Sequence, residues 1–574
     1  MSVNRFIPLA KYSSLRQVVE SCRRFYSQSV SRLHSASIHK HRLHLAAFIE
    51  KFHTEAGTIT PAVERKIDIL RKGSSVLLMT AHQPNLFPYS GVMRKATLNH
   101  VLAGELKKRL GIDVVSFFGI ADQDFSDDRW VKSTLLPAVF RKDGVFPLSA
   151  ILPEGKVLSA IKKPSPETVG AWKKDVDGWV HSASLSIKSY CQANGLRLPS
   201  DRNRRLRQNL SDLWDIVEQA RAQSQNYADF NAFFLSKVVN NAWKYDTLFA
   251  RFSECQSDFV PEFNHLVSHF DLYSQALKKG LAGIDPQEHG GVSDCEPDCL
   301  PFWYHCDCGG KVRLFPVRGQ NGLTAAGPCL SCRFAHRLGL GPPGRPDVSS
   351  ISPYLSARAI PMILVFSQGL GLSCYTGGVD GLAYLEQARY AADALDILLP
   401  PIVVWRPHDV YMGIAQLEAW LEFKRITGHF DVNLLDVEVD RLKDKMRKVY
   451  GRIDKCREQI SHLDEARRKG EIDRGTFENR LKQKLDWMDR VKRETSILSL
   501  AHDLIILENL PRTLHLIPGI IDYALNIGLE STSRQWVNFL VKNGSLAEDI
   551  TMKSILDGVI TLGNSCVQGA ESRP

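Results

Sequence analysis

The sequence predicts an α/β protein: a parallel-sheet core, split by an insertion and followed by a helical hairpin. Three observations carry that reading. A buried-strand run, a helical stretch and a second strand run follow one another between residues 74 and 120, which makes a βαβ unit and hence a parallel sheet with helices on its faces. The same grammar resumes near residue 361, after a long interval of different character. Residues 433–500 then carry an apolar seam at alternating steps of three and four, the signature of paired helices.

Composition sets the limits. Of 574 residues, 44% are hydrophobic and 24% charged, proportions that exclude bulk disorder and supply several cores. With 73 Lys and Arg against 63 Asp and Glu, the net charge is +10. That permits nucleic acid as a partner without arguing for it, because an electrostatic footprint needs clustering. No apolar run approaches the roughly 20 residues that span a bilayer, so a membrane-embedded protein is not expected. Twelve cysteines are too dilute for a disulfide scaffold. Their bunching between Cys295 and Cys332 points to a metal site in a reducing compartment.

Residues 1–72 read as an N-terminal helical segment. Its start is basic, with Arg5, Lys11, Arg16, Arg23 and Arg24 against Glu20, superficially like a transit peptide. Leu15, Val18 and Val19 form the stripe of a surface helix, and the cytoplasm is the expected location. Residues 73–150 are the first part of the sheet core: a strand at Ser75–Thr80, a helix at Gly91–Leu110, and a strand at Val114–Ile120 that runs into acids Asp122, Asp124, Asp127 and Asp128. Residues 151–345 read as an inserted connective region, helical at first, then rich in Gly, Pro and Cys, with a cysteine module near 295–335. Residues 346–432 return to the core, with a strand at Pro361–Phe366, a Gly-rich loop, a helix at Leu382–Ala394 and a strand at Pro401–Trp405.

In residues 433–500 the seam runs through Val439, Leu442, Met446, Val449, Ile453, Cys456, Ile460 and Leu463. It breaks at Arg468–Gly475 and resumes through Phe477, Leu481, Met488, Val491 and Leu498, which reads as an antiparallel coiled-coil hairpin. Its seam can close within the chain or against a second copy. Residues 501–574 form a C-terminal helical segment.

Four places can carry chemistry. Cys306-Asp-Cys308 and Cys329-Leu-Ser-Cys332 can set four thiolates tetrahedrally around a structural zinc, a closed site that organises the fold and performs no catalysis. Cys295, Cys299 and His305 lie close enough in sequence to replace one ligand. The loop after the first strand holds His82, Gln83 and Asn85 where open α/β sheets bind ligands; such a histidine serves either structure or catalysis. Gly377 and Gly378 let backbone amides approach an anion, or simply make a turn. Their surroundings match neither G-x-G-x-x-G nor a Walker loop. Asp122 and Asp124 stand where a substrate amine would be held, and Arg358 and Arg406 suit a carboxylate. Cys374 reads as a small buried residue.

Together, Leu77–Phe87, Phe117–Phe125, the block from Ser352-Pro353 to Arg358, and Thr376–Gln387 resemble the bacillithiol biosynthesis cysteine-adding enzyme (BshC) family. The resemblance implies a Rossmann-like core similar to class I aminoacyl-tRNA synthetases, a connective insertion and a coiled coil used for homodimerisation. It also implies amide formation between cysteine and an amino-sugar conjugate such as glucosaminyl-malate. Residue by residue, Gln83, Pro84, Leu86 and Phe87 match the family's T-G-Q-Q-P-G-L-F-G-G-P loop. Asp124, or Asp122 in a register shifted by two, matches the second strand end, and Arg358, Gly377, Gly378, Tyr384, Gln387 and Arg406 match later positions. His82 and Asn85 replace a Gln and a Gly, Pro88-Tyr89-Ser90 replaces Gly-Gly-Pro, Gly381 stands where Glu is common, and the cysteine cluster is additional. These departures leave the reaction class better defined than the substrate.

His82 through Pro88 also resembles the H-Q-P-N-Y-L-P opening of the WbqC-like family, over that loop alone. The expected roles are acid/base work at His82 with Gln83, a hold on the substrate amine at Asp122 or Asp124, and substrate contacts from Asn85, Arg358, Thr376, Gly377, Gly378, Tyr384, Gln387 and Arg406. ATP or another nucleotide enters only through the synthetase-like core. The rival reading is a synthetase-like zinc protein that binds tRNA or other nucleic acid without ligase activity, resting on the net charge and on Arg202-Asn-Arg-Arg-Leu-Arg207.

Overall fold

Seven consecutive residues, Val76–His82, are β-branched, aliphatic or small up to the final imidazole. A strand covered on both faces has that composition. In the computed structural model, which describes residues 12–193, 201–282, 296–319, 322–342, 345–378, 381–405 and 408–556, this strand (β1) is the centre of a five-stranded sheet. The others are β2 (Val114–Ile120), β3 (Leu248–Arg251), β4 (Cys374–Gly377) and β5 (Ile402–Val404). All pairings are parallel and the order is β5-β4-β1-β2-β3. Alternate residues of β1 feed two different cores: Val76 and Leu78 on one face, Leu77, Met79 and Ala81 on the other.

The order decides where a ligand would sit. From β1 the chain builds outward through β2 to β3, then returns to the opposite side of β1 for β4 and β5. In open parallel sheets such a reversal of order, here between β1 and β4, is where ligands sit, beyond the carboxyl ends of the strands.

Helix Ser90–Leu110, ended by Gly111 in the left-handed region, packs on one face of the sheet. Helices Leu15–Leu33, Ala36–Ala56 and Pro61–Arg71 form the N-terminal segment. The first begins with a capping box at Ser14 and Gln17, and buries Leu15, Val18 and Val19. His53, fully buried in the second, accepts the Phe249 N–H of β3 at Nε2 (2.9 Å), and its Nδ1–H donates to Thr58 Oγ1 (2.7 Å). Burial pushes its pKa down to about 3. Because the unfolded chain takes up that proton near pH 6.5, His53 makes stability fall as pH drops from about 6.5 toward 3. A His53→Gln chain is expected to show a shallower acid limb in urea melts between pH 6.5 and 4; an unchanged slope would refute this role.

One expected strand is corrected. Pro361–Phe366 lies in a helix, Ala359–Leu370, which Gly371 ends at φ 62°. The strand follows, at Cys374–Gly377, inside the stretch expected to be a Gly-rich loop. Nine of the helix's residues are buried, so it has no polar face to reveal its period, and Pro361 sits in the first turn, where its missing N–H costs nothing. The stretch 151–345, expected to be an insertion, contributes β3 to the main sheet. Strand Leu355–Ala357, beyond the expected boundary at 345, pairs with Phe302–His305 in a small antiparallel sheet with Lys311–Arg313.

Helices Leu435–Arg468 and Arg474–Arg493 pack together, joined by the turn at 469–473. Leu442, Ile453 and Cys456 are buried and the other first-helix seam positions partly so. On the returning arm Met488 and Val491 meet Ile453 and Cys456, with Ile497 against them. Leu498 is exposed, so the last seam position is Ile497. Among the described residues no helix is long and apolar enough to cross a membrane.

Candidate functional site

Register sets the carboxyl ends of β1 and β4 side by side. Thr80 pairs with Thr376, and Thr80 Oγ1–H donates to the Thr376 carbonyl (2.7 Å). Gln83 and Gly378 thus leave adjacent strand ends. Thr376 is buried and its hydroxyl donates to Asn99 Oδ1 (2.5 Å), which makes it a brace between sheet and helix. Gly377 needs its missing side chain: a Cβ there would meet Leu385 Cδ1 at 2.8 Å.

The loop from His82 to Ser90 is held at several points. Leu86 N–H donates to the Trp130 carbonyl (3.2 Å), Ser90 N–H to the Pro518 carbonyl, and the Pro88 carbonyl accepts Ile520 N–H. Phe87 has φ 47°, a backbone state that side chains disfavour. Its ring is locked edge-on among Trp172, Trp214 and Phe234, and the turn it makes directs the chain into helix Ser90–Leu110. Asn85 is buried, and among the described residues neither atom of its amide has a hydrogen-bond partner.

His82 is half-buried. Its Nδ1–H donates to the Gln83 carbonyl (2.9 Å), leaving Nε2 as the acceptor. Burial, with the Lys95 ammonium added, pushes its pKa down to about 3. Burial thus favours the neutral imidazole, which offers a lone pair at Nε2. Lys95 is the residue that sequence reasoning misses. It is buried, its Nζ donates to the Ala81 carbonyl (3.2 Å), and a Cβ on Gly378 would stand 3.6 Å from that nitrogen. The available signal is Arg94-Lys95, two cations on an almost wholly buried stretch of helix.

Asp122 and Asp124 lie at the end of β2 and are engaged by the protein. Asp122 is buried, accepts the Ser253 N–H (3.0 Å) and is pushed up to about 6 by burial. Asp124 pairs with the buried Lys311 (3.4 Å). Lys311 also lies over the rings of Phe125 and Trp303. Arg358 stacks on Trp303 at 4.7 Å and pairs with Glu296 at 3.2 Å. Asp122, Asp124 and Arg358 thus gather near Lys311, where the cysteine module meets β2. Tyr384 is half-buried. Gln387 is fully buried against Gly280, and its amide has no partner among the described residues. Arg406 and Cys295 lie outside the described residues. Cys374 is buried, and its thiol is held well above the usual range by Cys22 and burial.

The four cysteines converge. Their sulfur atoms all lie within 4.8 Å of one another, with Cys306–Cys332 at 3.7 Å and Cys308–Cys329 at 3.6 Å. Zinc–sulfur bonds of about 2.3 Å in a tetrahedron require sulfurs about 3.8 Å apart, so this group fits the ion. Cys299 instead faces Glu296, and His305 faces Ser356. His336 Nε2 lies 3.3 Å from Cys306 Sγ, an outer contact of the kind that orients metal ligands. In the basic run at 202–207, Arg202 is buried, which removes one cation from the surface that the tRNA reading needs.

The fold and these two centres define a mixed α/β protein with a reversal of strand order between β1 and β4 and a cysteine cluster within metal-binding distance. No family model matches the chain. A curated protein of Oceanobacillus iheyensis described as "Putative cysteine ligase BshC" is 22% identical to it over 362 residues, 62% of this chain and 59% of that protein. The match thus spans less than two thirds of the relative's length.

Proposed function

We propose that the chain is a cysteine ligase of the bacillithiol-biosynthesis type, joining the carboxyl carbon of cysteine to the amine of an amino-sugar conjugate such as glucosaminyl-malate. One observation carries the reading: the two loops that resemble the family, His82–Phe87 and Gly377–Gly378, leave neighbouring strands at the point where the order reverses. On this reading the sheet is Rossmann-like, His82 Nε2 and the Asn85 amide face substrate, and Gln83, Tyr384 and Gln387 shape the pocket. Helices 435–468 and 474–493 are a coiled coil that pairs two copies, and the enzyme is cytoplasmic. Cys306, Cys308, Cys329 and Cys332 hold a structural zinc; the ion neutralises the thiolates and fixes two turns, and takes no part in amide formation. A nucleotide as activator rests on the likeness to synthetases alone.

Untargeted metabolite profiling of a strain lacking the protein tests the reading. The expected result is a missing cysteine conjugate with an accumulated amine precursor, restored by the native gene and not by one encoding His82→Leu. An unchanged pool of thiol conjugates would refute it.

A further inference from the structure

We infer that Cys332 and Cys306 form an oxidation site: a small uncharged peroxide joins their sulfurs in a disulfide and so dismantles the four-cysteine metal site. The ion itself rests on the zinc reading above, whereas the thiol pair comes from the geometry. Of the four cysteines, Cys306 and Cys329 are buried and Cys308 is half-buried, while Cys332 is exposed. A surface cavity of about 500 Å³ opens on Cys332, lined also by Asp127, Glu154, Lys156 and Ser331. Cys306 Sγ stands 3.7 Å from Cys332 Sγ. A bound metal keeps such sulfurs deprotonated, and oxidation follows thiolate character and exposure. Cys332 is therefore the sulfur that an oxidant meets first, with Cys306 placed to resolve it.

The cavity selects its oxidant. Two carboxylates, Asp127 and Glu154, line it, and Lys156 Nζ is turned to the Cys308 carbonyl. Negative charge there repels anionic disulfides and favours an uncharged oxidant such as hydrogen peroxide. The Cys332 thiolate attacks one peroxide oxygen: the S–O bond forms, the O–O bond breaks, and the departing hydroxide takes a proton to become water. The Cys306 thiolate then attacks the Cys332 sulfur, the S–S bond forms, and the sulfenate oxygen leaves as hydroxide that is likewise protonated to water. The two thiolates together lose two electrons and one peroxide is reduced to two waters. Cys308 and Cys329 remain as two ligands where a structural zinc takes four, and they pick up protons as the ion leaves. The effect reaches the sheet. Leu330 N–H donates to the Lys311 carbonyl (2.9 Å) and Ser331 Oγ–H to the Gly155 carbonyl, so the turn that carries Cys332 holds both the Lys311 strand and the loop beside β2. Oxidation thus slackens the Asp122–Asp124 end of β2, and a thiol reductant restores it.

Peroxide treatment of the full chain tests the site. The chain is reduced, freed of reductant, loaded with zinc and exposed to hydrogen peroxide; a chromophoric chelator reads released zinc and peptide mass mapping reads the linkage. Zinc release is expected together with a Cys306–Cys332 disulfide, both reversed by dithiothreitol and added zinc. Cys332→His keeps a zinc-binding nitrogen without the exposed thiol, and should release zinc at least tenfold more slowly than the native chain. Mass mapping needs only the native chain, so it decides the matter if the variant fails to fold. A disulfide between another pair, or a folded Cys332→His chain that loses zinc as fast as the native one, would overturn the oxidation site. If zinc is held and peroxide leaves ion and thiols untouched, this inference fails and the zinc reading stands. A native chain that takes up no zinc yet forms the Cys306–Cys332 linkage supports the thiol pair and removes the zinc reading.

Discussion

Chains carrying Cys329→Ser are expected to be purified without zinc and to unfold residues 296–342 ahead of the rest. Cys329 is fully buried between the turns at 306–309 and 329–332. A hydroxyl is a poor replacement for a thiolate ligand, and the apparent binding energy of structural zinc in small modules is ~10–16 kcal/mol. The module's strands are three to seven residues long and Phe315, Val317 and Phe334 are exposed, while Phe302, Val312, Leu314, Ala325 and Leu340 anchor its inner side in the core of the sheet. The damage should not stay local. Val157 N–H donates to the Gly309 carbonyl (2.9 Å), Lys156 Nζ to the Cys308 carbonyl and Ser331 Oγ–H to the Gly155 carbonyl. The same loop returns to the sheet, where Ser159 N–H donates to the Asp122 carbonyl (3.0 Å). Loss of the ion therefore loosens the end of β2, including the Asp124–Lys311 pair. Elemental analysis should fall from about one zinc per chain to near zero, and limited proteolysis should cut first within 296–342. A native chain purified without metal, or a variant with unaltered melting and cleavage, would sink the proposed zinc site.

Much of this arrangement is legible in the sequence, for reasons that also explain what is not. β1, β2 and the helix between them are legible because strand-length apolar runs bracket a longer stretch that ends in Lys107, Lys108 and Arg109 before Gly111. The cysteine quartet is legible because its spacing is itself a geometric constraint. The paired helices at 435–493 show through period alone, since one face of each meets solvent. Full burial defeats that signal, which is why Pro361–Phe366, within helix Ala359–Leu370, reads as a strand and why the four residues of β4 disappear in a glycine-rich stretch. β3 is hidden by its setting among helices, where Leu248–Arg251 has too few residues to establish an alternation. At the site, sequence position identifies the loop at His82–Asn85. It cannot supply the state of His82, which depends on burial and on Lys95 in the next helix, or the engagement of Asp124 by Lys311, which depends on how a distant module docks.

Replacing Arg42 by methionine should cost at least ~4 kcal/mol, because it takes a charged donor from four buried carbonyls at ~1–3 kcal/mol each. Arg42 is 1% exposed, in helix Ala36–Ala56. Its Nε–H donates to the Leu370 carbonyl (2.9 Å), Nη1 to the carbonyls of Gly73 (2.9 Å) and Ser75 (2.8 Å), and Nη2 to that of Gly371 (3.0 Å). One side chain thus ties the approach to β1 to the turn that precedes β4, its neighbour in the sheet. Burial lowers its pKa to about 10, so the guanidinium remains charged at neutral pH. Methionine keeps most of the volume and leaves four carbonyls without this donor, each a loss of ~1–3 kcal/mol when water cannot reach it. Lysine keeps the charge but not the planar fork, and should recover only part of the loss. Because the bracing joins β1 to β4, Arg42→Met should also weaken any ligand bound between them, even though these hydrogen bonds reach neither His82 nor Gly378. Urea melts of the native, methionine and lysine chains check the first effect and metabolite profiling of a strain carrying Arg42→Met the second. A methionine variant as stable as the native chain would show that the tie between these strands lies elsewhere.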